Sequence, residues 1–184
     1  MATWTAATAI PTGQLITSAW MSNVTGAINF LGASGSSTGK DLFFARQTVA
    51  QSLDFTGGAY VALTFTTEDI DVANGHSTSS QFSRYTAQAA GKYRLSGSIS
   101  VPQNVAAQQM VGAFYKNGAV ISSGAKASFY VGSYATTEQC FVMPNVYLTL
   151  AASDYVELRV TKGTNFTTEV SAGQSTFGVE WVGA

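Results

Sequence analysis

Charge is what this sequence has least of. Of its 184 residues, 9 are Lys or Arg and 10 are Asp or Glu, so charged side chains make up 10% of the chain, against about 25% in an average soluble domain. Ser, Thr, Gly, Ala, Asn and Gln take their place. With a net charge of -1 and a pI near 5.7, no field draws the chain to nucleic acid or to an anionic lipid surface. A freely diffusing monomer with so little surface charge would be poorly protected against association, so the expectation is a surface covered by copies of itself or by a larger assembly.

Other scarcities narrow the chemistry. The single cysteine, Cys140, excludes an internal disulfide framework, and its place in the apolar run CFVM predicts a buried thiol. The single histidine, His76, excludes a multi-histidine metal site, and no hydrolase motif surrounds any serine. With acids and bases this sparse, the expectation is a protein that is not an enzyme and needs no cofactor. No apolar run approaches the roughly 18 residues of a membrane span, and no cationic segment followed by an apolar one opens the sequence. Without a secretory signal, Asn23-Val24-Thr25 and Asn165-Phe166-Thr167 are chance matches to the glycosylation pattern.

What is present is strand periodicity. From Tyr93 the apolar residues Tyr93, Leu95, Ile99 and Val101 fall on one face, with Lys92, Arg94, Ser96, Ser98 and Ser100 on the other, the period-two pattern of a half-buried strand. With a shorter strand before it and the Ala90-Gly91 turn between, residues 81–101 read as a hairpin around which the chain is organised. Gly97 marks a bulge or a close backbone neighbour. Strands are also expected over Leu42 to Leu53, Tyr60 to Phe65, Met110 to Lys116, Ala119 to Ser122, Ser128 to Tyr134, Glu138 to Met143, Val146 to Leu150, Tyr155 to Thr161 and Thr176 to Val182. Thr66 to Ser80 reads as a polar loop. Asn117-Gly118 is the strongest short hairpin signal in the chain. About ten short strands with regular turns indicate an all-β sandwich or jelly roll.

The first forty residues differ in kind. Trp4, Ile10, Leu15 and Ile16 are large apolar groups in a segment of Thr and Ala, which predicts that it lies against something. A helix is expected over Ala19 to Leu31, capped by Thr17 or Ser18 and ended by Gly32. Met21, Val24, Ile28 and Leu31 follow the spacing of a coiled-coil seam, with Trp20 beside it. Either this helix packs on its own domain, or helices from several chains share an axis. The linker GASGSSTGK over residues 32–40 separates an attachment segment, residues 1–41, from a β domain, residues 42–184.

One cluster could hold a ligand. Asp69-x-Asp71-x-x-Asn74-Gly75, with Glu68 and His76 beside it, offers oxygens around a Gly turn. It lacks the spacing and the terminal Glu of a twelve-residue calcium loop, so a solvated connection is the plainer reading and no metal is assigned. The aromatic residues Tyr115, Phe129, Tyr130, Tyr134, Tyr147 and Tyr155 read as core and interface groups, with an adhesive surface for sugars as the alternative.

In order and spacing, FSRYTAQAAGKYRLSGSISV, FYKNGAVI, NVYLTLAASDYVELRV and STFGVEWV resemble the jelly roll shared by the tumour necrosis factor family and the globular heads of complement and collagen-like proteins. That resemblance covers Phe43 to Ala184 and implies a ten-stranded sandwich assembled as a homotrimer. The opening WTAATAIPTGQLITSAWMSNVTGAINFL is similar to that of many tailed-bacteriophage virion proteins, and FTTEDIDVANGH resembles the phage-borne form of the jelly roll. Together these imply a virion structural protein, assembled in the host cytoplasm: a knob anchored to a capsid or tail protein as a decoration or fibre. The alternative is a receptor-binding head that recognises a host-surface glycan or protein.

Overall fold

The computed structural model describes residues 41–101, 108–122, 125–131, 139–162, 166–168 and 175–183. The expected helix with Trp20, Met21, Val24, Ile28 and Leu31, the attachment residues Trp4, Ile10, Leu15 and Ile16, and the linker lie outside them. So does Tyr134.

In chain order the described strands are β1 (Leu42–Arg46), β2 (Gln51–Leu53), β3 (Val61–Ala62), β4 (Thr67–Asp71), β5 (Arg84–Thr86), β6 (Gly91–Val101) and β7 (Gln108–Lys116). They continue with β8 (Ala119–Val120), β9 (Lys126–Val131), β10 (Gln139–Val142), β11 (Val146–Leu150), β12 (Tyr155–Lys162), β13 (Phe166–Thr168) and β14 (Thr176–Gly183). All pairings are antiparallel and form two large sheets. In the first, β10 and β11 lie end to end along one edge of β6, followed by β14, β1 and β4. In the second, β3 and β5 share one edge of β12, whose other edge carries β7, with β8 and β9 beyond. A separate short pair joins β13 to β2. Among the described residues fourteen strands therefore stand where about ten were expected, chiefly because three rows of the sandwich are each broken into two pieces. One break is visible in the register: Val142 faces Ser98 but Val146 faces Leu95. The extra residue in the Met143-Pro144-Asn145 stretch makes a bulge, a natural place for a proline that cannot donate to the ladder.

The period-two reading of the long strands holds. Tyr93, Leu95, Ile99 and Val101 of β6 are buried, as are Val156, Leu158 and Val160 of β12 and Phe177 and Val179 of β14. Gly97 lies where a side chain would meet the Thr176 carbonyl at 2.9 Å and Leu158 at 3.0 Å, so its marking as a close backbone neighbour is also met. At the centre, Phe177 packs against Phe43, Phe65 and Phe114 at ring separations of 5.6, 5.5 and 6.1 Å. Phe129 stacked on Phe141 closes one side of the sandwich, and Phe43 stacked on Tyr85 joins β1 to β5 on the other.

Four expectations are corrected. Residues 81–101 are not a hairpin: β5 pairs with β12 in the second sheet while β6 lies in the first, so the Ala90-Gly91 turn carries the chain across the sandwich. Thr66 to Ser80 is not all loop, because Thr67–Asp71 forms the edge strand β4 against β1. Between Tyr60 and Phe65 only Val61–Ala62 is strand, although Leu63 and Phe65 are buried as the alternation requires. Cys140 is exposed, since the alternation of β10 turns Phe141 inward and Cys140 and Val142 outward.

Two turns are tied together at one end. Asn117 and Gly118 both have positive φ, 50° and 79°, the geometry of the tight hairpin turn that Asn-Gly favours. The Asn117 amide donates to Asp154 at 2.7 Å, Lys116 Nζ pairs with the same carboxylate at 2.8 Å, and the Ala151 N–H donates to it at 2.7 Å. Lys116 first, then Asn117 and Ala151, hold the Asp154 carboxyl down to about 2. Its folded value lies below its unfolded one, so its contribution is complete above about pH 4 and is lost as pH falls towards 2. Asp154→Asn should remove that part of the acid dependence. Melting curves of both proteins between those pH values check it, and parallel profiles would show that the latch contributes nothing.

Candidate functional site

The loop after β4 is built around one carboxylate. Asp71 accepts the N–H groups of Gly75 at 3.1 Å and His76 at 2.9 Å, while the Gly75 carbonyl accepts the Thr86 N–H at 2.7 Å. Gly75 has to be glycine, since a Cβ there would collide with the Tyr85 ring and stand 2.6 Å from the Thr86 carbonyl. The turn thus delivers His76 into the sandwich wall, its side chain fully out of water and its ring 4.9 Å from Phe43. His76 Nε2 lies 3.0 Å from the Phe82 carbonyl and Nδ1 lies 2.7 Å from Glu68 Oε1. A carbonyl only accepts, so Nε2 carries a proton, and Nδ1 shares one with the carboxylate. Both nitrogens are engaged, and the ring's role is to pin the loop to β4.

The acidic cluster disperses accordingly. Asp69 turns to Arg46, at 2.5 and 2.7 Å, and this guanidinium holds its carboxyl below the usual range. Asp71 is spent on the backbone and Glu68 on His76, while Asn74 sits at a left-handed φ of 55°. Among the described residues no three His, Cys, Asp or Glu side chains group as a metal site would require.

A cleft of about 280 Å³ does open on the outer side of this loop, lined by Asn74, Ser77, Gln81, Arg84, Thr86 and Gln88 together with Gly75 and His76. Inward-facing Tyr85 throws its neighbours Arg84 and Thr86 outward. Arg84 lies over Tyr155, its Cζ 4.8 Å from the ring centroid. Its ladder neighbour is Glu157, but that carboxylate binds Arg159 Nε at 3.0 Å and Nη2 at 2.5 Å and accepts from Ser83 at 3.2 Å. Arg84 Nε is left buried without a hydrogen-bond partner. The sequence points to the loop but not to Arg84, because only the fold shows that the carboxylate of its ladder neighbour is taken.

Two broader surfaces flank the cleft. On the outer face of the second sheet, Arg159 stacks over Tyr115 at 4.4 Å, and Tyr115 lies 5.6 Å from Tyr60. Burial, with Tyr60 beside it, raises the Tyr115 hydroxyl above its ordinary value. On the first sheet the middle of the outer face holds Ser96, Ser98 and Gly178, next to an exposed ion pair between Arg94 and Glu180. Val142, 80% exposed, and Tyr147, 65% exposed, stand on one side, with Leu42 and Ile70 on the other. Tyr147 and Tyr130 are exposed rather than core groups, Phe129 packs against the core, and Tyr115 and Tyr155 are half-buried beneath guanidinium groups.

Two facing antiparallel sheets in this strand order define a tumour necrosis factor-like jelly roll. Murine APRIL has the same fold: its structure at pH 5.0 matches with a TM-score of 0.57 and 10% identity, covering 78% of this chain and 99% of that one. The structure at pH 8.5 matches with a TM-score of 0.55, 8% identity and the same coverage. The globular domain of zebrafish complement 1qA aligns with a TM-score of 0.48 and 14% identity, over 78% of this chain and 97% of its own. No family model and no curated protein sequence matches the chain.

Proposed function

We propose that this protein is a non-enzymatic structural component of a bacteriophage particle: a homotrimeric jelly-roll knob held to a capsid or tail protein by its N-terminal segment. The observation that carries the self-association is the outer face of the first sheet. The small side chains of Ser96, Ser98 and Gly178 admit close approach beside the already paired Arg94 and Glu180, and the exposed apolar flanks gain by being covered. The low charge of the whole chain supports the same reading. Placement on a particle rests on the resemblance of residues 4–31 and of the FTTEDIDVANGH loop to virion proteins.

Light scattering on the purified chain at low micromolar concentration tests the assembly. Three times 19.2 kDa is expected, and a monomer would defeat it. A variant lacking residues 1–40 should remain trimeric yet fail to join particles when supplied during assembly. Its incorporation at normal levels would defeat the anchor. A second reading, a receptor-binding head, is favoured by the polar cleft around Arg84, since a shell brace has no use for one. Copy number on the particle separates the two, being high for a decoration protein and low for a tail-tip head.

A further inference from the structure

The cleft beside β5 has a composition that narrows what it can hold. Arg84 is the one Lys or Arg in its lining, the His76 ring is committed to Glu68 and the Phe82 carbonyl, and Asn74, Ser77, Gln81, Thr86 and Gln88 offer amides and hydroxyls. Neither Glu68 nor Asp71 lines it, and Glu157 is committed to Arg159 and Ser83. Arg84 therefore presents a cation with no carboxylate paired to it among the described residues and with a buried N–H that lacks an acceptor. A desolvated donor without an acceptor is costly and marks a guanidinium whose neighbours leave its charge uncompensated, which favours an arriving anion.

The rim is held in place before any ligand arrives. Asn74 and Gln81, on opposite sides of Ser77, both adopt left-handed backbone, with φ of 55° and 56°, a conformation that asparagine tolerates and that glutamine keeps where the surroundings impose it. Asp71 fixes one arm of the loop, the Ser77 hydroxyl accepts the Ser80 N–H at 3.1 Å in the other, and the Tyr155 ring packs against the guanidinium. The planar guanidinium fork matches a planar carboxylate, which it can grip through two parallel hydrogen bonds. A phosphate dianion would call for more than one cation, whereas amides and hydroxyls around a single cation suit a polyol with one negative charge.

We propose that this cleft binds the carboxylate of an acidic sugar residue, of the sialic or uronic acid class, with Arg84 gripping the carboxylate and the amide and hydroxyl side chains reading the ring hydroxyls. This gives the receptor-binding reading a ligand class and rests on that reading only for its setting, because sugar binding is measured on the soluble chain whatever its place on a particle.

Saturation-transfer NMR on the full-length protein decides it, with the methyl glycoside of N-acetylneuraminic acid, glucuronic acid, neutral galactose and inorganic phosphate as separate probes. Saturable binding of at least one sugar acid in the millimolar range is expected, with no response from galactose and weaker competition by phosphate. Arg84→Gln, which keeps the polar stem and loses the charge, should weaken that binding at least about tenfold while the melting temperature stays near that of the parent. Thr86→Val should weaken it less. No binding of either acid, equal binding by Arg84→Gln, equal binding of galactose, or preference for phosphate would each overturn the proposal. Failure of the N-terminal truncation to exclude the protein from particles would leave this result untouched, so the two readings fail separately.

Discussion

Phe177→Ala should lower the unfolding free energy by about 3–5 kcal/mol, the range for removing a fully buried aromatic ring. Phe177 is fully buried on the central strand β14 and touches Phe43 from β1, Phe65 from the stretch after β3 and Phe114 from β7. It is the point at which both sheets and the covering segment meet, so neighbours cannot close the space without moving strands on both sides. Phe177→Leu keeps an apolar side chain there and should lose less. Denaturant titration followed by tryptophan fluorescence measures both, with the midpoint shifting and the slope unchanged. A loss below about 1 kcal/mol for the alanine variant would mean that the sandwich collapses around the gap.

Val142→Lys should turn the proposed trimer into monomers. Val142 stands 80% exposed on the outer face of the first sheet, opposite Ser98. An apolar side chain of this size contributes roughly 1.5–3 kcal/mol when fully buried, and a lysine in its place would bring an unpaired charge into the interface. Because three protomers share the loss, the effect on assembly is multiplied, while the isolated fold should hardly notice a lysine already in water. Tyr130→Lys, on β9 of the other sheet and 64% exposed, is the control that should leave the mass unchanged. If the control dissociates the assembly and Val142→Lys does not, the contact lies on the other face.

Strands buried on one side write their period into the sequence, and β6, β12 and β14 were legible for that reason. The Asn117-Gly118 turn was legible because few residues tolerate positive φ twice in succession. β4 was not: Thr67–Asp71 is an edge strand with no buried side chain, so its polar sequence reads as a loop. The supposed hairpin failed for another reason. Two strands joined by a tight turn are adjacent in sequence, but whether they pair or pass to facing sheets depends on partners far along the chain. Arg84 shows the same limit at the site: its neighbour Glu157 and the arginine that occupies that carboxylate come from β12. Loop residues rich in oxygen attract attention in a sequence, yet here their oxygens hold the backbone, and the unpaired charge lies beside them.

The order of the strands in the first sheet has a consequence in time. β14 lies between β6 and β1, so the last of the described strands to be synthesised occupies an interior row, and β1 can reach β6 only through it. During translation, β1 and β4 lack their inner neighbour, and Phe43 lacks the Phe177 ring, until residues 176–183 have left the ribosome. Pairing across such sequence distances is slow and leaves sticky intermediates. A chain with few charges to keep those intermediates apart depends on rapid closure of that last strand.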